Sequence, residues 1–335
     1  MKTLLSFAQL VRLPNTFTTW ADIILGALTT GFLANRRSWL WSRLTTSDSA
    51  NLTTVWQELQ SWCVLLCLLA SSTLLYWSGM IWNDYFDVVE DARDRPGRPL
   101  PSGRISMRTA SWFALGFMVI GVLFAVLADL LNAREIDGAF VIRWRAGPIA
   151  GVLVLAIFLY DGVLKETFAG PMLMGLCRAL NILLGLSILG AFPPFWGWLL
   201  ALIIGIYIGG VTWFAQTEVK TSSQPILIAA AIVILISLLL TLTVPALALE
   251  SPGNFSPSAF FPFLLAAFGG YLGMAILRAI RRPDPLRVQT AVKRAILGLV
   301  VLDTLLASAF VGSLGLLLAI LLIPGMILGR WLYST

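Results

Sequence analysis

The sequence predicts an all-α membrane protein, a polytopic bundle of nine or ten transmembrane helices. Three observations carry that expectation. The 335 residues are 58% hydrophobic with a mean hydropathy of +0.87. Only 12% are charged, against roughly 25% in a soluble domain. The apolar residues fall in continuous runs of about 20, the length that crosses a hydrocarbon core.

Taken in order, the runs lie near 16–34, 62–82, 110–131, 147–163, 169–191, 196–216, 225–249, 259–280, 291–312 and 314–333. The last two meet at an ambiguous boundary, which leaves the count at nine or ten. Before the first run, MKTLLSFAQLVRLPNTF could pass for a signal peptide, but Arg12 and Pro14 interrupt it and no small-residue cleavage site follows. A retained surface helix leading into the first span is expected instead. Pro148 suits the start of its helix, where the missing N–H costs nothing. A β-barrel would alternate apolar and polar residues, and these runs do not. One membrane domain, 1–335, accounts for the chain.

Lys and Arg set the expected orientation. With the N-terminus in the cytoplasm, the inner set holds sixteen: Lys2, Arg12, the five arginines from Arg93 to Arg108, Lys165, Lys220, the six residues from Arg278 to Arg294, and Arg330. The outer set holds six: Arg36, Arg37, Arg43, Arg134, Arg143 and Arg145. The basic excess reads as orientation and contact with membrane lipid, not as a nucleic-acid surface.

The sequence has no histidine, which excludes imidazole haem ligation, Ser-His-Asp chemistry and histidine proton shuttles. Cys63, Cys67 and Cys177 lie in apolar runs, where thiolate formation is disfavoured, so they read as core residues and not as a zinc site.

Carboxylates at a membrane edge need a reason. The second run ends in NDYFDVVED, residues 83–91. Asn83, Asp87 and Asp91 recur every four residues and drift only about 40° per step around a helix, with Asp84 beside them. Carboxylates so close repel one another unless cations neutralise them, and oxygen ligands that leave room for phosphate oxygens suit Mg²⁺. ARDRPGRPLPSGRIS follows at once. Its Pro and Gly residues forbid a continuous helix and predict a constrained loop carrying Arg93, Arg95, Arg98 and Arg104 over the helix end. Arginine forks match phosphate geometry. The pattern points to a diphosphate bound through Mg²⁺ with an apolar tail in the bilayer.

NDYFD followed by RPGRPLPSG resembles the first aspartate motif of the UbiA superfamily of intramembrane prenyltransferases, and RLPN at 12–15 is similar to its N-terminal signature. The RALN stretch and the chain's ending resemble the EboC-type branch. The resemblance implies a bundle around a central cavity open to lipid, with a polyprenyl diphosphate held on Mg²⁺. It implies metal positions at Asn83, Asp87 and Asp91 with Asp84 adjacent, and a phosphate contact at Arg98. Arg12 and Asn15 match the residues near the head group. It also implies transfer of the prenyl group to an aromatic or other lipophilic acceptor.

Tyr160, Asp161 and Lys165, in YDGVLKE, resemble the end of the family's fourth helix. Lys165 would steady the diphosphate and Tyr160 would line the cavity near the allylic carbon. The bare spacing of four also allows an Asp161–Lys165 ion bridge. Arg178 and Asn181, one turn apart in GLCRALN, either join the diphosphate site or leave Arg178 to snorkel outward. Asp22 and Asp303, deep in their runs, read as interhelical bonds or ion pairs. Trp82 and Trp213 are expected to line a cavity beside the acidic sites.

The family usually carries a second aspartate-rich motif between helices 6 and 7. Here that stretch reads WFAQTEVKTSSQ and offers Gln216, Glu218 and Lys220. A second metal would rest on Glu218, or be replaced in part by Lys220, and Asp161 or Glu218 would take the released proton. The missing aspartates also leave open a binding or carrier protein for lipids or pigment precursors that kept the fold and lost turnover.

Overall fold

The computed structural model describes residues 2–32, 52–136, 139–141, 145–216, 223–248 and 257–333. Glu218 and Lys220 lie outside the described residues, as does half of the stretch meant to hold a second metal.

The chain opens with α1 (Lys2–Leu10), a 3₁₀ turn over Leu13–Asn15 and α2 (Thr16–Thr29). The long α3 (Leu52–Phe86) runs into the short α4 (Val88–Asp94), and α5 (Met107–Leu131) returns alongside α3. A small antiparallel ribbon, β1 (Arg134–Ile136) with β2 (Ala139–Val141), pairs Arg134 with Val141. It is the sole strand pair among the described residues. Then come α6 (Ala146–Leu159), a π-helical turn over Tyr160–Leu164, α7 (Ala169–Leu186), α8 (Phe195–Ala215), α9 (Gln224–Thr241) and α10 (Val244–Ala248). The fold closes with α11 (Phe261–Arg281), α12 (Pro285–Val311), a 3₁₀ stretch over Gly312–Leu321 and α13 (Leu322–Tyr333).

Eight stretches among the described residues have the length and apolarity to cross a bilayer, fewer than the nine or ten expected. Two local features account for the difference. Helix α2 has 14 residues, short of a span. Pro285–Leu332 counts as one stretch by length and composition, yet it folds back on itself at Gly312, whose φ of 63° favours glycine. A Cβ on Gly315 would lie 2.4 Å from the Ser308 nitrogen, and the returning limb brings the Leu332 carbonyl to Gln9 Nε2 at 3.1 Å.

Apolar burial here orders helices against one another more than it separates them from solvent, so close packing has to come from small residues. The crossing of α2 and α7 is the clearest case. A Cβ on Gly26 would sit 2.7 Å from the Gly185 carbonyl carbon, and one on Gly185 would sit 2.7 Å from the Ile23 oxygen. One turn before these glycines stand Asp22 and Asn181. The bare crossing therefore fixes which polar side chains of α2 and α7 meet.

The expected loop over the α4 end is present. Ile105 N–H donates to the Pro99 oxygen and Ser102 N–H to the Arg98 oxygen, while Gly103 takes a φ of 71°. Arg104 fastens this loop to α1 through Gln9 Oε1 (3.0 Å) and Ser6 Oγ (3.3 Å).

Candidate functional site

A cavity of about 760 Å³ lies between α2, α3, α6, the π turn, α7, α8 and α12. Arg12, Asn15, Asn83, Asp87, Arg98, Tyr160, Asp161, Lys165, Arg178 and Asn181 all line it. Leu75, Met80, Leu153, Ile157, Met174 and Ile208 supply apolar wall.

The acidic motif divides instead of forming one stripe. Asn83 and Asp87 face the cavity. Asp84 and Asp91 turn towards the arginine loop, where Arg98 Nη1 donates to Asp91 at 2.5 Å and to Asp84 at 3.3 Å. Helical geometry explains the division. Eight residues from Asn83 to Asp91 accumulate about 80° of drift, whereas the seven from Asp84 to Asp91 return within about 20°. The chain stays nearly helical through the junction, with Asp91 N–H donating to the Asp87 oxygen at 2.8 Å.

Cationic side chains reach this cluster from three directions. Arg12 Nη2 donates to Asn83 Oδ1 and Asp84 Oδ1, both at 3.0 Å. Its backbone is left-handed, with φ 50°, a conformation uncommon outside glycine. That local cost turns the chain between α1 and α2 and aims the guanidinium across to α3. Lys165 pairs with Asp87. It does not bridge to Asp161, because the π turn widens the helix and carries position i+4 off the face it would share in an α-helix. Asp161 Oδ1 instead accepts from Asn83 Nδ2 at 3.0 Å.

Arg178 and Asn181 stand apart from this cluster. Arg178 Nη1 donates to Asp22 Oδ2 at 3.0 Å and Nη2 to Thr18 Oγ1 at 2.8 Å. Asn181 Nδ2 donates to Asp22 Oδ2 at 2.8 Å and to the Thr19 oxygen at 3.1 Å, while its Oδ1 accepts from Ser72 Oγ at 2.7 Å. Arg178 is held inside the bundle by the acid of α2 and lines the cavity. Asp22 is thus an interhelical ion pair. Asp303 is fully buried, with no hydrogen-bond donor to either oxygen.

Several side chains fall elsewhere than expected. Trp82 packs among Tyr85, Phe86 and Phe158, and Trp213 stands edge-on to Phe168; neither lines the cavity. Cys67 is buried and Cys63 and Cys177 are half-buried, all with free thiols. Glu90, which motif reading passed over, lines the cavity with Asn83 and Asp87. Its spacing of seven from Asn83 and three from Asp87 was the available signal. Gln216, at the start of the WFAQTEVKTSSQ stretch, also reaches the cavity.

The donors suit Mg²⁺ in kind. They are hard oxygens, and Mg²⁺ usually takes one or two carboxylates together with substrate phosphates and waters. Asp87 beside Asn83 fits that mode. A cage built from three acids is not present among the described residues, since Arg98 and Arg12 occupy Asp84 and Asp91 on the other side of the helix.

The chain is similar to known proteins at two levels. In sequence, 85 residues are 39% identical to digeranylgeranylglyceryl phosphate synthase of Methanopyrus kandleri, covering 25% of this chain and 26% of that protein. A further 113 residues' match, 32% identical, joins it to the Methanococcoides burtonii enzyme of the same name, covering 32% and 34%. The chain thus spans about a quarter to a third of the length of these curated relatives. In structure, a chain from work on digeranylgeranylglyceryl phosphate synthase in membranes superposes with a TM-score of 0.58 at 17% identity, over 92% of this chain and 99% of that one. A UbiA homologue from Archaeoglobus fulgidus bound to DMAPP and Mg²⁺ gives 0.57 at 12% identity, over 94% and 99%. These structures share the all-helical fold. Residues 49–297 match the UbiA prenyltransferase family, a stretch that contains the divided acidic motif, the arginine loop and the π turn, and this multi-pass integral membrane protein belongs to that family.

Proposed function

We propose that the chain transfers a prenyl group from a polyprenyl diphosphate to an aromatic or other lipophilic acceptor within the membrane, with Mg²⁺ as cofactor. The observation that carries this reading is the polarity of the cavity. Arg12, Arg98 and Lys165 gather with Asn83 and Asp87 at one end, and an apolar wall runs away from them. A diphosphate head and a hydrocarbon tail ask for that pairing of surfaces. In this reading residues 1–335 act as one membrane domain with the N-terminus and acidic motif cytoplasmic, and the EboC-type likeness belongs to the same proposal.

Arg12, Arg98 and Lys165 donate to the diphosphate oxygens, exchanging part of their present bonds to carboxylates for bonds to phosphate, and Asn15 lies beside them. Asp87 and Asn83 would hold Mg²⁺, with Asp84 and Asp91 neighbouring. The ion, when bound, neutralises charge on the departing diphosphate. As the allylic C–O bond breaks, Tyr160 presents an aromatic wall to the carbon that becomes positive. The apolar lining keeps water from capturing it. The acceptor forms the new bond, and its proton passes to Asp161, whose carboxyl lies in the cavity beside Lys165 and Tyr160. Glu218 and Lys220 would add to the head-group site from the WFAQTEVKTSSQ stretch.

The test is diphosphate release by the purified protein in lipid, from geranyl, farnesyl and geranylgeranyl diphosphates. Aromatic, quinone-precursor and glycerol-phosphate acceptors are supplied with and without Mg²⁺. Release that needs Mg²⁺ and rises with one acceptor class supports the reading, and Asp87→Ala should abolish it. Full activity in Asp87→Ala would refute the site. A second reading, a prenyl-lipid or pigment-precursor carrier, draws on the neutralised state of the motif, each of whose three aspartates has a cationic partner. Tight, Mg²⁺-dependent binding without release is its signature.

A further inference from the structure

The cavity has a second polar pole. Ser72 and Asn83 both line it from α3, and their separation of eleven positions corresponds to about 16 Å along the helix axis. At the far pole Arg178, Asn181, Ser72, Thr19 and Tyr76 meet the cavity. Leu75, Gly79, Met80 and Ile157 lie between the poles. The diphosphate reading uses only the first pole.

The chemistry of the second pole is specific. Asn181 is fully occupied, with both its amide hydrogens and its oxygen engaged by Asp22, Thr19 and Ser72. Arg178 is not: of the five N–H donors of a guanidinium, hydrogen bonds engage one on each Nη, to Asp22 and Thr18. The group stays 15% exposed and lines the cavity, with its Cζ 5.9 Å from the Tyr76 ring centre. It is an anchored donor fork with bonds left to give. Its charge, however, is already answered. Asp22 is its ion partner, and the fully buried Asp303 stands next to Asp22 without another donor. The ion pair with Asp22 leaves the pole no surplus positive charge to attract an anion.

We infer that Arg178 binds an uncharged oxygen, a ring hydroxyl or carbonyl, of the acceptor substrate, so that the acceptor lies between the two poles with its reactive atom towards the diphosphate. This rests on the prenyl-transfer reading and narrows it to acceptors that carry a neutral oxygen remote from the reacting position. Side chains from both poles reach inward and shorten the 16 Å between helix positions, which leaves room for a ring system. Arg178 here is a substrate-binding residue, while Asp22, Asn181 and Thr18 are positioning residues that hold its fork.

The test uses the full chain in lipid nanodiscs and three probes: menadione as the neutral dicarbonyl, 1,4-dihydroxy-2-naphthoate as its carboxylated counterpart, and farnesyl diphosphate with Mg²⁺. The wild type should bind menadione more tightly than the naphthoate. Arg178→Gln should weaken menadione binding about tenfold, the effect of losing one charge-assisted hydrogen bond, and leave farnesyl diphosphate binding unchanged. Arg178→Lys keeps the charge opposite Asp22 but lacks the fork, so it should weaken menadione in the same direction and carries the test if the glutamine variant does not fold. Equal binding of the naphthoate, undiminished menadione binding in both variants, or no menadione binding at all overturns the inference. So does a parallel loss of farnesyl diphosphate, which would put Arg178 in the head-group site. Failure of the wild type to bind farnesyl diphosphate with Mg²⁺ would instead strike the prenyl-transfer reading, whatever menadione does.

Discussion

The two poles of the cavity are built from the same chemistry, a guanidinium or ammonium against a carboxylate, and differ in how much water reaches them. At the acidic end the Lys165 and Asp87 side chains are 29% and 21% exposed, and Arg12 and Arg98 are 29% and 23% exposed while their carboxylates, Asp84 and Asp91, are 5% and 7% exposed. At the far end Asp22 is wholly buried and Arg178 is 15% exposed. A pair partly exposed on both sides, as Lys165–Asp87 is, contributes only about 0–1 kcal/mol, so a ligand phosphate can replace that partner at little cost. Breaking a buried pair leaves a charge with nowhere to go, at about 3–5 kcal/mol. The contrast separates a pole that exchanges partners from a pole that holds two helices together and offers a ligand only the bonds it has left over.

The sharpest way to break this contrast is to remove the buried acid. Asp22→Ala strips Arg178 and Asn181 of a shared acceptor and should destabilise the protein by about 3–5 kcal/mol, read as a large fall in thermal unfolding temperature in lipid. Unaltered unfolding would mean that Asp303 takes over the partnership and that the pole is more adaptable than its geometry suggests. Gly26→Ala attacks the same region through packing alone. Its Cβ would meet the Gly185 backbone at 2.7 Å, so α2 and α7 must separate, at about 1–3 kcal/mol. Because that separation also pulls Asp22 from Arg178, menadione binding should weaken with stability in this variant. Loss of stability with binding intact would show that the crossing and the pole are independent.

The acidic end was largely legible in the sequence, and the far pole was not. NDYFDVVED and RPGRPLPSG are contiguous, so their chemistry can be read from one stretch, and the loop fastened over α4 follows from its Pro and Gly content. Even there, a rule of fours grouped Asn83, Asp87 and Asp91, while the accumulated drift of a real helix grouped Asp84 with Asp91 and turned Glu90 into the cavity. The Lys165 partner was hidden for a related reason: the π turn at Tyr160–Leu164 breaks the periodicity on which the Asp161–Lys165 spacing argument depends. The far pole joins residues 22, 72, 178 and 303 from four helices. Asp22 and Asp303 stand alone in apolar runs and Arg178 has only Asn181 near it in sequence, and only the close crossing at Gly26 and Gly185 determines that two of those helices meet there. The last two runs, 291–312 and 314–333, do part at the residue where the chain turns back, Gly312, although composition alone joins Pro285–Leu332 into one stretch.

Lys165→Ala gives the smallest expected change in stability and the clearest separation of the poles. The substitution breaks the pair with Asp87, but that carboxylate is 21% exposed and is rehydrated in place, so the unfolding free energy should move by no more than about 1 kcal/mol. Diphosphate binding should fall more steeply, because the ammonium is one of three cationic groups that face the head group and a charge-assisted bond to phosphate is about twice as strong as a neutral one. Menadione binding at the far pole should be untouched. A folded Lys165→Ala protein with wild-type diphosphate affinity would place the head group on Arg12 and Arg98 alone. A markedly destabilised one would show that the acidic end, like the far pole, is part of the frame, and the distinction between an exchanging pole and a holding pole would fall with it.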